Sequence, residues 1–309
     1  MKLKIFLTGG SGMVGKNFLK LPNIKKFQIL SPSSKELDLR NFNKTKKFLN
    51  FHKPDIIIHA AGIVGGIQAN INYPLKFLID NLEIGKNIVT ASKETNIKKL
   101  INLGSSCMYP ANYNKPLTED LILKGALEPT NEGYALAKIV TARLCEYINR
   151  DNKKFNYKTI IPCNLYGKYD NFEPLRSHLI PAIIHKVHTA KKTNKKNVEI
   201  WGDGLSRREF MYAGDFANAL LRAIVNFNSL PDIINIGLGH DYSIKQYYLY
   251  AAKVIGYKGN FVYDKPKPTG MKRKLVSISK QKKWGWSYKT DLQDGIKKTY
   301  EYYLRKFGE

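Results

Sequence analysis

Over the first half of the chain, short apolar runs alternate with longer stretches of helical period. KIFLTG, FQIL, DIIIHAA, KLINLGSS and YKTIIPCNLYG read as strands, and helical patterns cover 12–20, 42–52, 74–94 and 132–150. The strand runs are apolar throughout rather than at every second residue, as a sheet covered on both faces requires. Strands alternating with helices predict βαβ units and a parallel sheet. After about residue 166 the rhythm loosens. Longer loops, more prolines and an aromatic-rich tail (YSIKQYYLYAAKVIGY, KKTYEYYLRK) predict a smaller second lobe.

TGGSGMVG (8–15) follows the first strand and opens the first helix, so that Gly9, Gly12 and Gly15 have the spacing GxxGxxG. Without side chains there, backbone N–H groups can approach a pyrophosphate at the positive end of a helix. At the first strand-to-helix turn of an alternating chain, this predicts a bound dinucleotide. The fold class is therefore α/β: a Rossmann-type doubly wound parallel sheet with a smaller α/β substrate-binding lobe. Residues 1–165 are assigned to the dinucleotide-binding domain and 166–309 to the substrate lobe. The two interleave, since DFANALLRAIVN and DIINIGLG suggest that 208–240 returns to the first domain. NAD-specific sites place an acid at the end of the second strand. Here that strand continues into SPSSK, whose Ser31, Ser33, Ser34 and Lys35 offer hydroxyls and a cation. That set tolerates a 2′-phosphate and favours NADP(H). Asp38 and Leu39 are expected to border the adenine. HAAG, with Ala60, Ala61 and Gly62, is expected to run close to the cofactor.

Composition narrows the rest. The 309 residues are 43% hydrophobic, enough for a real core, and no apolar run approaches the length of a membrane span. The N-terminal MKLKIFLTGG turns glycine-rich too early for a signal peptide and reads as a strand. Cys107, Cys145 and Cys163 have no paired spacing, which points to a reducing cytoplasm rather than a disulfide framework. No Cys/His cluster has metal-ligand spacing, so no metal is expected. The net charge of +26 is mostly lysine spread along the chain, with one dense run, AKKTNKKN (190–197). Without arginine-aromatic interleaving, this suggests a solvated surface that attracts anionic, phosphate-bearing ligands, and no nucleic-acid partner is expected.

The chemistry gathers in two places. LGSSCMYP (103–110) puts hydroxyls, a thiol and a phenol at the end of a strand, and EGYALAK (132–138) puts Tyr134 and Lys138 on one helical face. A tyrosine titrates too high for neutral-pH proton transfer, but a nearby ammonium stabilises its phenolate. A serine-bearing strand end, then YxxxK, downstream of GxxGxxG, resembles the extended short-chain dehydrogenases/reductases. Within that group GGSGMVG, HAAGIVGGIQAN, LGSSCMYP, LEPTNEGYALAKI, PCNLYGKYDNF, SHLIPAIIHKVH and WGDGLSRREF resemble the GDP-L-fucose synthase family. Those enzymes are NADPH-dependent 3,5-epimerase/4-reductases of GDP-4-keto-6-deoxy-mannose.

The resemblance implies roles. Ser105 and Tyr134 would hold the C4 oxygen, Lys138 would support Tyr134 and the nicotinamide ribose, and Cys107 and His178 would exchange the protons of epimerisation. Cofactor contacts are implied for Gly9, Gly12, Met13, Val14, Gly15, Ser34, Lys35, Asp38, Leu39, Ala60, Ala61, Gly62, Asn81, Lys138, Pro162, Asn164, Leu165 and His178. Substrate contacts are implied for Asn164, Lys186, Trp201, Arg208 and Lys274, with Arg208 on the pyrophosphate and Lys274 near the guanosine. A homodimer is implied as well. Cys145 and Cys163 read as core residues, and Ser106, Met108 and Tyr109 as packing or loop-shaping ones. The chain departs from the family at Gly133, where a proline is usual, and at Ser11, where an arginine is common. Alternatives stay open on the same fold: reduction at C4 only, a heptose substrate, or a nucleotide-sugar 4-epimerase. An idle dinucleotide-binding module that binds nucleic acid is the alternative from another class.

Overall fold

The computed structural model describes residues 2–173, 177–267 and 270–308. Six strands form the main sheet in the order Ile233–Ile236, Asn156–Pro162, Lys99–Leu103, Ile56–His59, Lys4–Thr8 and Gln28–Leu30. Every neighbouring pair is parallel. The continuous apolar runs have a simple cause. Ile5, Leu7, Ile58, Ile101, Leu103 and Ile160 face one core, while Phe6, Ile57, Leu100 and Tyr157 face another on the opposite side. Full burial of a side chain of this size contributes roughly 1.5–3 kcal/mol. Helices Met13–Leu19 and Ala213–Val225 pack together, with Phe18, Phe216 and Leu220 in the first core. Helices Phe42–His52 and Pro74–Glu94 supply Leu49, Ile88 and Val89 to the second. Glu132–Asp151 lies beside Pro74–Glu94 and reaches both cores.

The strand order reverses at Lys4–Thr8: the chain runs first to Gln28–Leu30 on one side and then back across to Ile56–His59 on the other. In open α/β sheets the ligand crevice lies at such a switch point, beyond the C-terminal strand ends. Thr8, His59 and Leu103 are those ends here.

YKTIIPCNLYG divides in two rather than forming one strand. Asn156–Pro162 stays in the main sheet, and Asn164–Tyr166 leaves it to pair with Phe210–Tyr212. Asn164 Nδ2 secures that exit by donating to the Glu209 carbonyl at 3.0 Å. Beyond it, helices Leu179–Lys192, Ile244–Ile255 and Leu292–Phe307 bury Ile183, Ile184, Tyr247, Ile255, Ile296 and Tyr303 in a third core. Two small sheets complete this part: Asn197–Trp201 with Asn260–Asp264, and a three-strand group of Tyr242–Ser243, Arg207–Arg208 and Arg273–Lys274. AKKTNKKN spans the end of a helix, a turn and the start of a strand. No helix of the described residues is long and apolar enough to cross a membrane.

Candidate active site

At the nucleotide end the backbone does the work. Gly9 has φ +71°, and a Cβ there would lie 2.7 Å from the Ala61 amide nitrogen. A Cβ on Gly15 would lie 2.4 Å from the Gly9 carbonyl oxygen. The turn is closed by Gly12 N–H donating to Gly9 O at 3.0 Å, and Met13 and Val14 then open the helix. Thr8 Oγ1 accepts from Ala61 N–H at 3.1 Å and bonds His59 Nδ1 at 2.9 Å, which ties the glycine turn to the HAAG turn. Burial, and then the Lys138 charge, push the His59 imidazole down to about 3, so it stays neutral as a strut. Asn81 clamps the next residue at both groups. Its Oδ1 accepts from Ile63 N–H at 2.8 Å and its Nδ2 donates to Ile63 O at 3.0 Å. A Cβ on Gly62 would sit 3.1 Å from Asn81 Oδ1 and 3.5 Å from Lys138 Nζ, so the bare turn passes directly over the lysine. At Gly9 and Gly15 backbone already stands where a Cβ would go, so glycine lets the turn pack tightly, and its bare backbone at a helix start suits a dinucleotide's phosphates.

The loop after the second strand holds two features that the pattern SPSSK did not disclose. Glu36 accepts from Ser33 N–H at 2.6 Å, so a carboxylate lies in the loop after all. Arg40 engages Asp38 at 2.8 Å and holds its carboxyl below the usual range, and it reaches Asp80 at 3.4 Å. Ser34 and Lys35 are exposed at the loop surface, and Leu39 is buried.

The chemical end is assembled from distant segments. Ser105 caps the short turn Ser106–Met108, and its Oγ accepts from Cys107 N–H at 3.2 Å. Ser106 and Met108 are buried, which leaves Cys107 half-buried at the surface of the cleft. Helix Glu132–Asp151 brings Lys138 beneath the strand end, where Nζ donates to Leu103 O at 3.0 Å. Burial pulls this ammonium down to about 8. Nζ lies 5.8 Å from the centre of the Tyr134 ring. Burial first, then Cys107, raise the Tyr134 phenol, while its bond with the Ser105 hydroxyl pulls the other way. The expectation of a lysine-stabilised phenolate is therefore corrected. Desolvation wins, and Tyr134 stays a phenol suited to giving a proton.

Cys107 Sγ accepts from Asn131 Nδ2 and from Lys274 Nζ, each at 3.4 Å. His178 immediately precedes helix Leu179–Lys192, and burial, then the Lys274 charge, lower its imidazole. Lys274 is only 8% exposed. It was expected near the guanosine; in the structure it stands between the thiol and the imidazole. Strand alternation explains which neighbours face inward. Arg207 and Arg273 both point to Asp241, at 2.7 and 2.5 Å. Arg208 and Lys274, paired in register one residue on, lie on the opposite face. Burial lowers the Arg208 guanidinium, partly offset by Glu128.

Lys186 Nζ sits 5.3 Å over the Trp201 ring, so these two also meet, on the helix that begins after His178 and the strand beside it. Pro162 and Leu165 flank the strand exit. Cys145 and Cys163 are buried in the cores, and Tyr109 donates to Asn235 Oδ1 at 2.6 Å as a packing residue. Sequence reasoning assigned no role to His59, Asn70, Arg40 or Asn131. Asn131 lies inside EPTNE, and a signal for it was present only as that block. Among the described residues no cluster could hold a metal ion.

Residues 5–237 match the NAD dependent epimerase/dehydratase family. The chain belongs to that family. Its relatives include GDP-L-colitose synthase of Yersinia pseudotuberculosis, 58% identical over 98% of this chain and 99% of that one. GDP-L-fucose synthase of Escherichia coli K12 is 37% identical over 98% and 97%. Among solved structures, a GDP-6-OMe-4-keto-L-xylo-heptose reductase from C. jejuni superposes with TM-score 0.91, at 32% identity over 99% and 98% of the chains. A GDP-L-fucose synthetase from Naegleria fowleri bound to NADP gives 0.88, at 27% identity over 99% and 93%. The chain is thus similar over its whole length to enzymes of GDP-sugars.

Proposed function

We propose that the protein is an NADP(H)-dependent epimerase/reductase of a GDP-4-keto-6-deoxy sugar. The observation that carries this reading is the meeting of Cys107, Lys274 and His178 beside the Ser105–Tyr134–Lys138 set. A C4 ketone acidifies the hydrogens on its flanking carbons. Cys107 takes such a proton as thiolate, the charge passes to O4, and Ser105 and Tyr134 donate hydrogen bonds to that oxygen. His178 returns a proton to the opposite face. NADPH, when bound, would supply the hydride that C4 accepts. Tyr134 gives its phenolic proton to the resulting alkoxide, which its raised affinity for the proton permits only while the alkoxide is the stronger base. Lys138 holds the ribose, and Arg208 pairs with the diphosphate.

The colitose synthase relative favours a second reading of the sugar. Colitose lacks the 3-hydroxyl of fucose, so its precursor calls for inversion at C5 alone. NADPH oxidation with the two GDP-4-keto sugars, followed by NMR of products made in deuterated water, decides between them. Deuterium at C3 and C5 marks the fucose route, and deuterium at C5 with turnover of only the 3-deoxy sugar marks the colitose route. NADPH oxidation without deuterium at C5 removes Cys107 and His178 from the mechanism.

Homodimerisation belongs to the same proposal. Leu136, Val140 and Tyr147 form one stripe on helix Glu132–Asp151, beside Leu75 and Ile79 on helix Pro74–Glu94, all at least 37% exposed. Val140→Asp is expected to turn a dimer into a monomer in light scattering; a wild-type monomer refutes it. The reducing cytoplasm remains the proposed location.

A further inference from the structure

We propose that Asn70 and Asn131 form a subsite that reads hydroxyl groups of the sugar on the thiol side of the ketone, an inference that rests on the GDP-4-keto-sugar reading above. A cavity of about 220 Å³ lies against the proton-donating tyrosine, lined by Asn70, Phe77, Thr130, Asn131 and Tyr134 among others. Asn70, on the short helix Ile67–Asn72, is 7% exposed. Its Nδ2 donates to Gly65 O and Gly66 O, both at 3.0 Å. Carbonyl oxygens only accept, so the amide nitrogen must face them and Oδ1 must face away. Among the described residues that Oδ1 has no hydrogen-bond donor. Asn131 repeats the pattern. Its Nδ2 is committed to Cys107 Sγ, and its Oδ1 also has no donor among the described residues.

Both residues line the cavity, and each carries an acceptor oxygen shut off from solvent, which is costly to leave without a donor. A sugar hydroxyl supplies a donor where a methyl group does not. The bond from Asn131 to the thiol fixes the place, next to the carbon whose proton Cys107 takes. The 3-hydroxyl and a hydroxyl on the C6 arm of a heptose are both within the same chemistry. Phe77 gives the cavity a buried apolar wall, and Pro74 and Ile71 form its exposed rim.

The test compares wild type, Asn70→Ala and Asn131→Ala on three substrates with NADPH: GDP-4-keto-6-deoxy-mannose, its 3-deoxy analogue, and a GDP-4-keto-heptose carrying a 6-hydroxyl. Each variant is expected to lose about 10-fold more kcat/KM on the sugar whose hydroxyl is read than on the partner lacking it. The pair that shows the difference identifies which hydroxyl is read. Equal losses on all sugars overturn the subsite, because they mean a structural role or a site for water. Wild type inert on all three sinks the functional reading and the subsite with it. Asn70 also pins the Gly65 and Gly66 carbonyls. If Asn70→Ala does not fold, Asn131→Ala decides alone. Its common loss through the thiol cancels in the comparison between sugars.

Discussion

The two ends of the cleft are built on opposite principles. At the nucleotide end the essential thing is missing side chains. Gly9, Gly15 and Gly62 let neighbouring atoms pack where a Cβ would crowd them, and Thr8, His59 and Asn81 hold the bare backbone in place. At the chemical end the essential thing is particular side-chain atoms, drawn from residues 105–107, 131–138, 178, 208 and 274. One end is a shape made locally, and the other is a meeting of distant segments. The first should fail when atoms are added and the second when atoms are removed.

The largest effect expected is at Tyr134. Removing its hydroxyl in Tyr134→Phe takes away the proposed proton donor and proposed partner of O4, and NADPH oxidation should fall by roughly 10²–10⁴-fold. NADPH affinity, measured by fluorescence titration, should change by less than about 3-fold, since the ring and Lys138 remain. A matching loss of affinity would mean the two ends are not separable. The reverse experiment is Gly15→Ala. The added methyl would meet Gly9 O at 2.4 Å and the Gly10 Cα at 2.5 Å, so the turn must open. Overpacking of about 1–3 kcal/mol corresponds to as much as roughly 100-fold in NADPH affinity. At saturating NADPH, kcat should recover most of its value. Unchanged affinity would show that the glycine spacing serves packing alone.

A smaller effect sharpens the chemical end itself. Cys107→Ser should slow solvent deuterium exchange by at least about 10-fold more than it slows oxidation of the finished GDP-sugar by NADP⁺, which needs hydride transfer only. Equal slowing of both would place Cys107 in holding the substrate rather than moving its protons.

The same contrast explains what could be read in advance. The glycine turn announces itself within eight residues, and the apolar strands reveal a sheet covered on both sides, because these features depend on neighbours in the chain. Ser105, Cys107, Tyr134 and Lys138 were legible because each belongs to a short block with its own pattern. Three things were not. The approach of Lys274 to the Cys107 sulfur was not foreseen, because its position depends on which face of a two-residue strand turns inward, and a strand that short has no visible period. Asn131 was passed over because its partner is a sulfur 24 residues away. The phenol of Tyr134 was expected to be eased by an ammonium, whereas burial, which no local pattern discloses, decides its direction.

The smallest effect concerns Lys138, which belongs to both ends, with Gly62 on one side of it and Tyr134 on the other. Burial brings its ammonium down to about 8 in the cofactor-free enzyme, whereas the unfolded chain keeps the ordinary value near 10.5. Between those values the unfolded chain binds more protons. This residue therefore makes the cofactor-free fold gain stability as pH rises through the window, and adds nothing to the slope below about 8. Cofactor binding should respond in the opposite sense, because a neutral amine is a weaker partner for the ribose. NADPH affinity is expected to fall by roughly 3- to 10-fold between pH 7 and 9 while thermal stability without NADPH rises. His59 is already neutral, and the Tyr134 phenol is pushed upward out of this range, so neither reproduces the slope. Lys158 and Lys186 are lowered by burial as well, so the decisive quantity is the difference between wild type and Lys138→Met. If that variant keeps both pH slopes, Lys138 is not the group that couples the shape of one end to the chemistry of the other.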